Sequence, residues 1–193
     1  MRAKHKQQSG FTIVELLIVI VVIAILAAIS IVAYNGIQNR SKNAQTQQTA
    51  SAWIKALQMY KTDNSRWPGG FVCLGKGYKF GPRGTDDSGT AACRQTVSNN
   101  ALENTAFNTT MAAYIGSTIP TPAMTTAYGS DTNWYRGITY VYGGGGSGTD
   151  VYLHIAYAGN SGTCPTISGV NGTSTILSEN YLCYYSLGAT TDT

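Results

Sequence analysis

The sequence predicts an α+β fold, in which a long N-terminal hydrophobic helix packs by its C-terminal half on a head built from an antiparallel β-sheet. Three observations carry that expectation. Residues 11 to about 62 contain no proline and one glycine, Gly36, so one helix can run through them. Apolar residues surround the first half of that run and narrow to a single stripe in the second. Beyond residue 137 the apolar period changes from helical spacing to strict alternation.

The first ten residues are short, basic and free of acids, with Arg2, Lys4, His5 and Lys6 ahead of Gln7 to Gly10. Such a run holds the N-terminus on the cytoplasmic side while the following segment inserts. From Phe11 to Ala33 the chain is apolar, and Glu15 is its only ionisable side chain. A carboxylate placed centrally in a membrane costs about 2.5 to 3.5 kcal/mol, so Glu15 calls for a positive partner. An ordinary secretory signal places its small-residue cleavage site after the apolar core. Here the small residue, Gly10, precedes the core. Cutting between Gly10 and Phe11 keeps the helix and creates an ammonium at Phe11, four residues from Glu15.

The segment Gly10-Phe11-Thr12-Ile13-Val14-Glu15-Leu16-Leu17 resembles the processing motif of type IV pilins and the wider type IV filament family. The resemblance covers about fifty residues, the leader and the long helix. It implies that a prepilin peptidase cuts after Gly10 and N-methylates Phe11. It also implies that Glu15 pairs with the N-terminus of Phe11 on a neighbouring subunit during assembly. Relatives commonly carry a helix-breaking proline late in the apolar segment; the residues around Val32 offer none, which leaves Gly36 as the one weak point.

In the second half of the helix Ala50, Trp53, Ile54, Leu57 and Tyr60 follow one face, while Gln47, Gln48, Ser51 and Lys55 occupy the other. That stripe is expected to pack against the head. Asp63, Asn64 and Ser65, followed by Trp67-Pro68-Gly69-Gly70, end the helix. The expected domains are thus a leader at 1–10, a membrane or filament-core helix at 11–34, its amphipathic continuation at 35–63, and a head at 64–193.

Residues 64 to about 133 read as a connecting region with one short helix near Asn100 to Tyr114. Ile138, Tyr140 and Tyr142 then alternate with Thr139 and Val141, and Val151, Leu153, Ile155 and Tyr157 alternate with Tyr152, His154 and Ala156. The glycine-rich stretch at 143–150 joins them as an antiparallel hairpin. Ser174 to Leu177 and Tyr181 to Leu187 complete an expected sheet of about four strands, each giving the helix one face.

The four cysteines, Cys73, Cys93, Cys164 and Cys183, all follow the apolar segment, and none has Cys-x-x-Cys spacing. An even count on an exported side argues for two disulfides, and three pairings are open. The pairs Cys73 with Cys93 and Cys164 with Cys183 are preferred, because they close short self-contained loops and because many pilins close their C-terminal region with a disulfide.

The net charge is +4; losing Arg2, Lys4 and Lys6 with the leader subtracts three and leaves +1, which gives no nucleic-acid footprint. Charged residues are 11% of the chain, against an abundance of Gly, Ser, Thr and Asn in the head, which suits a folded domain with an uncharged polar surface. His154 is the one histidine left after the leader and reads as a polar-face strand residue. Gly159-Asn160-Ser161-Gly162 and Asp150 match no Ser-His-Asp signature. The glycine run lacks the ending of a phosphate-binding loop. Asp86 and Asp87 do not supply the six to eight oxygens of a calcium site. Lys76, Lys79, Arg83 and Arg94 read as a solvated basic loop, and the thirteen tyrosines as half-buried strand residues.

No catalytic residue, metal site or cofactor is expected. The chain reads as a structural pilus subunit, inserted in the inner or cytoplasmic membrane as a precursor and then polymerised with identical copies into an extracellular filament. Its expected partners are prepilin peptidase, the pilus assembly machinery and its own copies; DNA or a host or cell surface has no support as a partner. The alternatives are a minor pilin, a secretion-system pseudopilin or a membrane-anchored surface-binding module.

Overall fold

The computed structural model describes residues 12–79, 91–96, 99–130, 133–144, 150–159, 162–168, 170, 172–177 and 180–190. The chain divides into two compact units, residues 1–38 and 39–193. Helix α1, Ile13–Asn64, contributes to both and continues through Gly36.

Within the first unit the described side chains from Ile13 to Ile31 are exposed, including Ile13, Leu17, Ile20, Ile25 and Ile29. By length and composition α1 can cross a membrane. Ser30, polar in this run, is satisfied inside the helix, its hydroxyl donating to the Leu26 carbonyl at 2.8 Å.

The second unit is α+β. After α1 come β1 (Phe71–Cys73), β2 (Ala92–Gln95), β3 (Asn100–Glu103), α2 (Thr105–Ile115), β4 (Thr126–Ser130), β5 (Asn133–Arg136), β6 (Ile138–Gly144), β7 (Asp150–Ala158), β8 (Gly172–Leu177) and β9 (Asn180–Ala189). The described strands form one nine-stranded sheet in the order β4-β5-β2-β3-β1-β6-β7-β9-β8. Every pairing is antiparallel except β1 with β3.

Four strands were expected, and the difference lies at residues 64–133. There β1 to β5 are three to five residues long, too short for alternation to emerge from composition. The helix expected near Asn100 to Tyr114 gives its first turn to β3. Helix α2 starts after Asn104, whose Oδ1 accepts the Phe107 N–H at 2.9 Å, an N-cap. The C-terminal hairpin is β6 paired with β7, in register Ile138 with Ile155 and Tyr140 with Leu153. The other two expected strands are β8 and β9.

One face of the sheet receives the stripe of α1. Ala50, Trp53, Ile54 and Leu57 join Tyr140, Leu153, Ile155 and Tyr185 in the main core. Thr46, Thr49 and Ala56 are buried as well, so the contact is wider than the stripe read from sequence. Asn43 adds a polar clamp, its Nδ2 donating to the Ala158 carbonyl at 3.0 Å and its Oδ1 accepting the Ala158 N–H at 2.8 Å. The turn ending α1 places Ser65 at φ 53°, a left-handed residue that stops helical hydrogen bonding.

The opposite face is also covered. Strands β5 and β6 are consecutive yet do not pair with each other; Gly137 between them makes the corner at φ 59°. A Cβ there would lie 2.8 Å from the Tyr78 hydroxyl, so glycine is required by both conformation and space. The corner lets β4 and β5 bring Ala127 and Tyr135 onto Ala156 and Leu182, forming a second small core.

Candidate functional site

At the start of α1, Thr12 and Glu15 satisfy each other's helix-end groups. Glu15 Oε2 accepts the Thr12 N–H at 2.8 Å and the Thr12 hydroxyl at 2.7 Å, while Thr12 Oγ1 accepts the Glu15 N–H at 3.3 Å. Thr-x-x-Glu is a capping box, and an acid in the first turn also complements the helix dipole. Sequence reasoning asked Glu15 for a counter-charge and missed this local role, although the Thr12 to Glu15 spacing was its signal. Both bonds use Oε2, so Oε1 has no hydrogen-bond partner among the described residues. Gly10 with the rest of the leader, and Phe11 after it, lie outside the described residues.

In the second unit two disulfides join Cys73 to Cys93 and Cys164 to Cys183, with Cα–Cα separations of 5.5 and 5.7 Å. The first links β1 to β2 across the intervening β3. The second ties the segment after β7 to β9. Loops of this size are typically worth about 3 kcal/mol each through restriction of the unfolded chain.

His154 is not the solvated residue that its alternating position suggested. It points to the second face, with its ring edge-on to Tyr135 at 5.7 Å and Tyr184 at 4.7 Å between centroids. Its Nδ1 is buried without a hydrogen-bond partner. Burial disfavours the imidazolium, and the nearby Arg94 charge adds to the effect, holding the pKa down at about 3. Asp150 accepts the Tyr152 hydroxyl at 2.9 Å. Asn160 and Ser161 lie outside the described residues.

Because the folded pKa of His154 is below that of the unfolded chain, the unfolded state takes up a proton first as pH falls. Stability is therefore full above about pH 6.5 and is lost toward pH 3, at about 1.4 kcal/mol per pH unit. His154→Phe is expected to remove about 2 kcal/mol of the loss between pH 6.5 and 5, measured by denaturant unfolding at each pH. Equal slopes for the two proteins would mean that His154 is solvated.

The basic loop also resolves differently from its reading. Lys76 and Lys79 are exposed, but Arg94 lies in β2 with its guanidinium 4.9 Å from the Phe71 ring centre and 5.3 Å from that of Tyr135. Arg83, Asp86 and Asp87 lie outside the described residues. So do residues 145–149 of the glycine-rich turn. Among the described residues no group of three or more His, Cys, Asp or Glu side chains comes together.

Comparison with known proteins adds to this geometry at the N-terminus. Residues 5–31 match the prokaryotic N-terminal methylation motif. The chain is 42% identical over 67 residues to the type II secretion system core protein G of Aeromonas hydrophila, covering 34% of this chain and 46% of that protein. It is 41% identical over 61 residues to the fimbrial protein EcpC of Eikenella corrodens, covering 32% of this chain and 40% of that protein. It is 34% identical over 68 residues to a fimbrial protein of Neisseria meningitidis serogroup B, covering 35% and 40%. The chain thus spans less than half the length of the curated relatives it matches. No solved structure matches it. With its methylation motif, long apolar helix and sheet, the chain is type IV pilin-like.

Proposed function

We propose that this type IV pilin-like chain is a structural subunit of a type IV pilus, cut between Gly10 and Phe11 by a prepilin peptidase, methylated at Phe11 and polymerised through α1. One observation carries this reading: a single carboxylate, Glu15, opens an exposed apolar helix in register with the methylation motif. Cleavage supplies the charge that the helix otherwise lacks, and the free Oε1 offers it an acceptor. The apolar side chains exposed on α1 are then covered first by lipid and later by helices of neighbouring subunits. In this reading residues 1–10 are the leader, 11–34 the membrane or filament-core segment and 35–63 its amphipathic continuation. Residues 64–193 form the head. The protein is not an enzyme; the covalent chemistry is performed on it.

Mature protein recovered from the cell surface is expected to begin at Phe11 and to weigh one methyl group more than the unmodified chain, as read by N-terminal sequencing and intact mass. Met1 on the assembled form, or a start beyond residue 30, would overturn the reading.

A pseudopilin role is the second reading, favoured by the similarity to type II secretion system core protein G. Microscopy of sheared cell-surface material separates the two. Abundant filaments built from this chain support the pilus subunit, and their absence at native expression supports the pseudopilin.

A further inference from the structure

Strand β7 outruns its neighbour β6. Their pairing ends at Ile155 with Ile138, just past the Gly137 corner, and the Gly137 carbonyl takes the Ala156 N–H at 2.9 Å. Backbone groups two residues apart on a strand point to the same side. Ala158 therefore presents its N–H and C=O to the side that β6 has left, with Asn180 of β9 flanking it on the other. Ala158 is buried, and buried backbone groups need partners. One side chain meets both, since Asn43 Oδ1 accepts the Ala158 N–H and Asn43 Nδ2 donates to the Ala158 carbonyl. A carboxamide carries the donor and acceptor of a peptide group. Helix α1 thus supplies, from a side chain, the ladder rung that β6 does not.

This part of α1 is held differently from the turns that follow. Of residues 39–46, Thr46 alone is buried, and its hydroxyl has no hydrogen-bond partner among the described residues. Arg40, Ser41, Lys42, Ala44 and Gln45 are exposed; Gln45 adds one exposed bond, from Nε2 to the Thr121 carbonyl at 3.2 Å. Farther along, Ala50, Trp53, Ile54 and Leu57 lie fully inside the main core. Apolar stabilisation scales with the area buried, so the later turns are anchored by packing and residues 39–46 by directional bonds. Lifting residues 39–46 returns the Thr46 hydroxyl to water, which favours release. It also strips Ala158 of both partners, which opposes release. A segment with little apolar burial and two such opposed terms can open without the rest of the head.

We propose that Asn43 is a latch, which holds residues 39–46 of α1 on the sheet by completing the β7 ladder at Ala158. Its release frees about two turns of α1 while Trp53 keeps the later turns docked. On the proposed function, that slack is available as α1 exchanges lipid for neighbouring helices. The latch itself stands whether the chain forms a pilus or a pseudopilus.

The test is limited trypsin digestion of the full chain in detergent micelles, with the cut after Arg40 timed by mass spectrometry. Lys55, exposed on the core-anchored part of the helix, is the internal control. When opening and closing outpace cutting, the cutting rate follows the open fraction. Asn43→Ala is expected to speed the cut after Arg40 about tenfold or more, with the cut after Lys55 unchanged. Alanine favours the helix more than asparagine does, so local helicity alone predicts a slower cut. Thr46→Val removes the buried hydroxyl at nearly constant shape and is the independent variant, expected to slow the cut after Arg40 about fivefold. An unchanged rate after Arg40 in Asn43→Ala would overturn the latch, and so would a Thr46→Val protein cut as fast as wild type. An equal rise after Lys55 would mean that Asn43 supports the whole head, which also overturns it.

Discussion

Glu15→Ala is expected to leave export and cleavage after Gly10 intact and to abolish filaments, with processed subunit accumulating in the membrane. On the proposed function the Phe11 ammonium meets Glu15 in a low-dielectric filament core. Removing one partner of a buried pair leaves the other charge uncompensated, at a typical cost of about 3 to 5 kcal/mol. That cost recurs at every subunit contact, so growth of the polymer should fail. The capping box gives Glu15 a second role, bonded to Thr12, and Glu15→Gln separates the two. Glutamine retains a capping oxygen but carries no charge. If charge drives assembly, the glutamine variant fails like alanine; filaments restored by glutamine would assign Glu15 to helix capping alone. Counting filaments in sheared fractions, beside an immunoblot of the processed subunit, reads the outcome. Normal filaments from Glu15→Ala would end the assembly role.

Trp53→Ala is expected to destabilise the second unit by about 3 to 5 kcal/mol. The indole is fully buried where α1 meets the sheet, 6.4 Å from the Phe107 ring centre. Its N–H donates to the Pro120 carbonyl at 3.2 Å. The substitution thus opens a cavity and also removes that carbonyl's donor. For a domain of this size the thermal midpoint should fall by roughly 6 to 20 °C. Lys55→Ala, on the exposed side of the same helix, should stay within about 0.5 kcal/mol of wild type. A Trp53→Ala protein melting with the wild type would mean that the helix does not anchor the head.

Legibility in the sequence followed the length of each element. Helix α1 spans 52 residues, enough for its stripe and its terminating Ser65 to be read. The β6–β7 hairpin carries enough alternating residues for its inward face, Ile138, Tyr140, Leu153 and Ile155, to be named correctly. By contrast β1 has three residues and pairs in parallel with β3, some thirty positions away. Nothing local in Phe71-Val72-Cys73 specifies that partner. Arg94 was read as a loop residue because β2 has four residues, and His154 was misread for a related reason. Alternation indicates which side of a strand a residue faces, but not whether something else covers that side.

The sequence by itself therefore determined the helix, its apolar first half, the stripe ending near Tyr60 and the β6–β7 hairpin. All of these arise from contacts a few residues apart, where backbone geometry alone sets the spacing. Only the tertiary structure decided the nine-strand order, the corner at Gly137, the cover of β4 and β5 over Ala156 and Leu182, and the clamp of Asn43 on Ala158. These features depend on chain segments meeting across long loops. Short strands gain their hydrogen bonds and their buried neighbours only after that meeting, so the interactions that select them are absent from any local window.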